Sequence, residues 1–82
     1  MYLSHCPKDN YFKITELWLS YEEREFYNNN GLYEGDIVYV LENNEQIKAL
    51  KENVQYSFTK KQASLIYGQK IVEKNKQKRI KP

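Results

Sequence analysis

The stretch Gly31-Leu32-Tyr33-Glu34-Gly35-Asp36-Ile37-Val38-Tyr39-Val40-Leu41 decides the fold. Its two glycines bracket a tight connection in which both positions are free to take positive φ. Downstream, residues 37–41 form the longest uninterrupted apolar run of the chain, and a strand is expected over 36–41. Upstream, Ser20-Tyr21-Glu22-Glu23 is a capping box: the Ser20 hydroxyl accepts from the Glu23 amide while the Glu23 carboxylate reaches back. Acids in that first turn also suit the positive end of the helix dipole. Asn30-Gly31 supplies a left-handed stop, so the spacing predicts a two-turn helix over 21–29. Phe26 and Tyr27 are its expected buried side chains. A helix this short does not stand alone in water and must dock on a sheet.

Working outward, residues 11–18 alternate, with Phe12 and Ile14 facing one way and Lys13 and Thr15 the other, which reads as a half-buried strand. Residues 42–45 are turn chemistry. Residues 46–50 stay open between a helical turn, from Ile47 with Leu50, and a strand, from Ile47 with Ala49. Residues 54–58 alternate, placing Val54, Tyr56 and Phe58 inward. Thr59-Lys60-Lys61-Gln62 is a second capping box, opening a single helical turn through Leu65. Residues 66–72 read as a last strand, weakened by Gly68. The expected fold is mainly β: a small SH3-like barrel of about five strands, with one two-turn helix after the first strand and a single helical turn before the last. The folded domain is expected over 1–73. Residues 74–82 form a basic C-terminal tail expected to be loose, with Lys74, Lys76, Lys78, Arg79 and Lys81 and no apolar period.

Composition narrows the function. The chain has 82 residues, net charge +2, eight tyrosines and one cysteine. Residues 1–69 carry net −3 and residues 70–81 net +5, so a mildly acidic body meets a basic end. A five-residue apolar run is far below the roughly 20 residues of a membrane span. The first residues show neither a basic nor an apolar export segment, and one cysteine cannot staple the fold, so a cytoplasmic protein with a reduced thiol is expected. With one His, one Cys and no glycine-rich phosphate loop, the chain is not expected to be an enzyme.

Four residue groups invite a chemical reading. His5 and Cys6 are the only soft-ligand pair, with Asp9 nearby, and are the candidate metal ligands. Adjacent residues on an extended chain point apart, and two ligands do not close a tetrahedral site, so no resident cofactor is expected. Glu22 with Glu23, and Glu42 with Glu45, are explained by a helix start and a turn without acid–base work. Tyr11, Tyr33, Tyr39, Tyr56 and Tyr67 offer a stacking platform for single-stranded nucleic acid, an alternative that the acidic body opposes and the basic tail favours. The same tail reads as an electrostatic tether to an anionic membrane surface, worth about 1 kcal/mol per cation.

The run Gly31-Leu32-x-x-Gly35-Asp36-x-Val38-x-Val40 resembles the central signature of the ferrous iron transport protein A (FeoA-like) family. There, Leu-Gly-Leu-x-x-Gly leads into a hydrophobic strand. Leu3-x-x-Cys6-Pro7-x-x-x-x-Phe12-x-Ile14 is similar to the family's opening. Ile47, Tyr56-Ser57-Phe58, Ala63 and Ile66 match its continuation, so the resemblance spans roughly residues 3–72. Glu34 stands where the family often has Pro, and Gly68 where a β-branched residue is expected. The resemblance implies an SH3-like barrel with Gly31 and Gly35 setting the turn. It further implies a non-enzymatic adaptor in ferrous iron uptake whose partner is the membrane transporter FeoB. Ferrous iron or another divalent transition metal enters by that association alone.

Overall fold

The structure, a computed structural model, describes residues 1–71. A 3-10 turn, Leu3–His5, leads into strand β1 (Tyr11–Leu17) and helix α1 (Tyr21–Asn29). Strands β2 (Ile37–Asn43), β3 (Gln46–Lys51) and β4 (Val54–Thr59) follow as a meander. The one-turn helix α2 (Lys60–Ala63) and strand β5 (Ile66–Ile71) close the described chain. All five strands lie in one antiparallel sheet in the order β4-β3-β2-β1-β5. This is the mainly β, barrel-like fold with two short helices that the sequence predicts.

Alternation builds the core. Phe12, Ile14 and Leu17 of β1, Val38 and Val40 of β2, Ile47 and Ala49 of β3, and Tyr56 and Phe58 of β4 all point inward. Leu3, Cys6, Leu19, Leu32, Ala63 and Ile66 fill the ends. Each fully buried Leu, Ile, Val or Phe contributes roughly 1.5–3 kcal/mol, so this set is what orders an otherwise polar chain. The segment left open at 46–50 is a strand: Ile47 faces Phe58 and Ala49 faces Tyr56 in the β3–β4 register, and no helix satisfies those pairs.

Both helices start as their sequences dictate. Ser20 Oγ accepts from Glu23 N at 3.2 Å, and Thr59 Oγ1 accepts from Gln62 N at 3.0 Å, each with its reciprocal side chain in place. The two boxes also touch. Gln62 Nε2 donates to Glu23 Oε2 at 3.0 Å, and the Tyr27 hydroxyl donates to Gln62 Oε1 at 3.3 Å. That bond from Gln62, followed by the Ser20 amide, holds the Glu23 carboxyl below the usual carboxylate range.

Three expectations are corrected. Phe26 is exposed while Tyr27 is buried, because α1 turns only one narrow stripe toward Phe58. Val54 is exposed too, since it sits at the hairpin end of β4, beyond the reach of the core. Gly68 does not weaken β5 but permits it. It lies opposite Ile14, where a Cβ would come within 1.9 Å of the Lys13 carbonyl oxygen and 2.9 Å of the Phe12 ring.

Candidate functional site

The glycine connection is braced from several elements at once. Helix α1 ends at Asn28 and Asn29, and Gly31 and Gly35 take φ +93° and +98°, conformations that L side chains rarely adopt. Asn28 Nδ2 donates to Leu32 O at 2.7 Å. Asp36 Oδ2 accepts from Tyr33 N at 2.8 Å and from Lys51 Nζ at 2.8 Å. Lys51 Nζ also donates to Gly31 O and lies 5.9 Å from the centre of the Tyr33 ring. The bond to Asp36 raises the Lys51 ammonium above its ordinary range against the opposing effect of burial. Tyr56 completes the brace from the core side, its hydroxyl donating to Asn30 O at 2.6 Å. Nothing in the local pattern near Lys51 announces this role, which depends on β3 lying beside β2.

Between this connection and α1 runs an open groove of about 450 Å³, lined by Leu17, Tyr21, Arg24, Glu25, Tyr33 and Glu34. Tyr21 and Tyr33 are 71% and 52% exposed. Glu34 anchors the groove wall, its Oε2 accepting from Leu17 N at 3.0 Å. Exposed Tyr and Arg around a fixed floor are the composition of a protein contact rather than of a reaction centre.

The candidate metal ligands separate. Cys6 is fully buried in the core while His5 is exposed, its ring edge-on to Tyr2 at 6.4 Å. Burial pushes the Cys6 thiol up, which opposes the thiolate a metal needs. Asp9 takes φ +66° and accepts instead from the Tyr39 hydroxyl at 3.2 Å. Among the described residues no group of three or more His, Cys, Asp or Glu is placed to hold a metal ion. Glu22 and Glu23 occupy the first turn of α1, as read from the sequence. Glu42 lies in β2, with Lys48 Nζ at 3.9 Å, and Glu45 in the turn that follows.

The five tyrosines divide among surfaces. Tyr11 and Tyr39 pair at 4.9 Å on the outer sheet face, Tyr67 meets Tyr2 edge-on at 5.2 Å, Tyr33 borders the groove and Tyr56 is buried. They do not make one platform. Lys74, Lys76, Lys78, Arg79 and Lys81, and the domain boundary drawn at 73, lie outside the described residues. Among those described, no helix is long and apolar enough to cross a membrane.

No family model and no curated protein matches the chain in sequence. Solved structures do match. The solution NMR structure of a FeoA protein from Chlorobium tepidum superposes with a TM-score of 0.81 at 17% identity, over 88% of this chain and 71% of that one. The crystal structure of an iron uptake regulatory protein, FeoA, superposes with a TM-score of 0.72 at 20% identity, over 84% of this chain and 93% of that one. At these identities the likeness concerns the backbone alone: the chain has the small SH3-like fold of the FeoA proteins.

Proposed function

We propose that this protein is a small, non-enzymatic accessory protein of FeoA type that acts in ferrous iron uptake through contact with the membrane transporter FeoB. The observation that carries the reading is the superposition on two FeoA structures over more than four fifths of the chain. The groove between α1 and the glycine connection supports it, because its exposed Tyr21, Arg24 and Tyr33 have the character of a binding hot spot. Iron is then the cargo of the partner rather than a resident of this chain. The protein works from the cytoplasmic side, and its basic C-terminal sequence adds salt-sensitive attraction to anionic lipid.

The test is titration calorimetry of the full chain with the cytosolic region of the transporter from the same organism. Saturable binding is expected, weakened about tenfold or more by Tyr21→Ala. Absence of binding at about 1 mM overturns the reading.

A further inference from the structure

The outer face of the sheet carries an apolar row that runs straight across the strands. Ile71 of β5 stands opposite Tyr11 of β1, Tyr11 opposite Tyr39 of β2, and Tyr39 opposite Leu50 of β3. Directly opposed residues share a face. Their chain neighbours Phe12, Val38 and Ala49 point into the core, so the row points outward. The two tyrosine rings meet edge-on with 4.9 Å between centres. Ile37, two residues from Tyr39 and 48% exposed, widens the row on the same face.

The surface here is a groove of about 630 Å³ whose charged lining is Asp9, just before β1, and Glu52, just after β3. Asp9 is held close to the rings, its Oδ1 accepting from the Tyr39 hydroxyl at 3.2 Å. Lys13 and Lys48, the outward cations of β1 and β3, do not line the groove, and Lys48 lies 3.9 Å from Glu42 instead. An apolar floor with aromatic rings and two acids suits long cationic side chains, whose stems lie on the floor while their heads meet the rings and carboxylates.

We propose that this groove is the docking site of the chain's own C-terminal segment, residues 74–81. Its cations meet Asp9, Glu52 and the two tyrosine rings, and Ile80 meets the apolar floor. Three observations select this occupant. The first is position: β5 ends at Ile71, itself the first member of the row, so the chain that follows starts at the edge of the groove. The second is reach. The row crosses three strand spacings, about 14 Å, and the eleven residues 72–82 can extend to about 35 Å. The third is charge: Lys74, Lys76, Lys78, Arg79 and Lys81 come to a lining whose charged groups are both acidic. Anionic lipid draws on the same cations and therefore competes with the groove.

Heteronuclear NMR of the full chain tests the docking. Nuclear Overhauser contacts from the Ile80, Lys and Arg side chains of the segment to the Tyr11 and Tyr39 rings are expected at about 20 mM NaCl. They should fade by about 0.5 M, where exposed charges are screened. Asp9→Asn and Glu52→Asn each remove one charge yet keep a residue that tolerates the positive φ found there, so melting should be unchanged. Each should shrink the displacement of the segment's amide signals from their high-salt positions about threefold, and the double variant should abolish the ring contacts. Glu52→Asp, which keeps the charge, should preserve them. Segment signals that already sit at their high-salt positions in dilute salt overturn the proposal, as do contacts to another part of the body. So do ring contacts that neither salt nor the double substitution alters.

Discussion

The β5 and β4 margins are both ends of one sheet, yet one is finished by a returning stretch of backbone and the other by side chains of a helix. At β5 a glycine lets β1 approach, and a returning N-terminal segment takes up the outward backbone groups. That segment is itself held, since Asn43 Nδ2 donates to Ser4 O at 3.1 Å and to Cys6 O at 2.8 Å. At β4 no described strand lies alongside; helix α1 does, with the Tyr27 hydroxyl donating to Ser57 O at 2.9 Å and Tyr56 donating to Asn30 O at 2.6 Å. How a strand edge is finished is decided by what the fold brings against it, not by the strand.

Substitutions break this contrast in order of size. Gly68→Ala forces a methyl group onto the Lys13 carbonyl and should cost roughly 3 kcal/mol or more, enough to unfold much of the population, as read by chemical denaturation. Gly31→Ala imposes a side chain at φ +93° and presses it to 3.3 Å from the Tyr56 hydroxyl; a loss of about 1–2 kcal/mol is expected. Gly35→Ala meets the same backbone penalty with open space around it, so it should cost less than Gly31→Ala. A reversed order would show that Tyr56 does not brace the connection. Tyr56→Phe deletes only the bond to Asn30 and should cost about 1 kcal/mol. At the hairpin end of β4, Val54→Thr should leave the folding stability within the scatter of ordinary surface changes, about ±0.5 kcal/mol, by chemical denaturation.

A pH effect sharpens the closed side further. Burial raises the Cys6 thiol, so the native state holds that proton more tightly than the unfolded chain does. Stability from this group is intact below the unfolded thiol value, about 8.5, and declines as pH rises through it toward the native value. Thiol-labelling of native protein at neutral pH should accordingly be far slower than labelling of the denatured chain. Fast native labelling would mean that the segment covering β5 opens readily.

Local signals were legible where the chemistry is local. Ser20 with Glu23, Thr59 with Gln62, and Gly31 with Gly35 are written within a few residues, and all three appear where the sequence puts them. Alternation located the inward faces of β1 and β4 except at the hairpin end, where Val54 follows the period but has no core above it. Phe26 is outside because Tyr27, with its hydroxyl satisfied by Ser57, fills the space against Phe58. Gly68 looks like a weak point in sequence because its need is set by Lys13 and Phe12, more than 50 residues earlier. The candidate surfaces were less legible still. Lys51, Glu34 and Asn43 act through partners 15 to 39 residues away, and no window of sequence contains both halves of such a contact.

The contact between the two capping boxes changes how the helices should breathe. Alone, a nine-residue helix frays in microseconds and its amides exchange almost as fast as those of a free peptide. Here Glu23 and Gln62 each cap one helix and hold the other, 39 residues apart in sequence. Opening one N-terminus leaves the second without its neighbour, so the two short helices belong to one cooperative unit with the strands they touch. Their first-turn amides should exchange together, at a rate set by loss of the sheet rather than by the length of either helix.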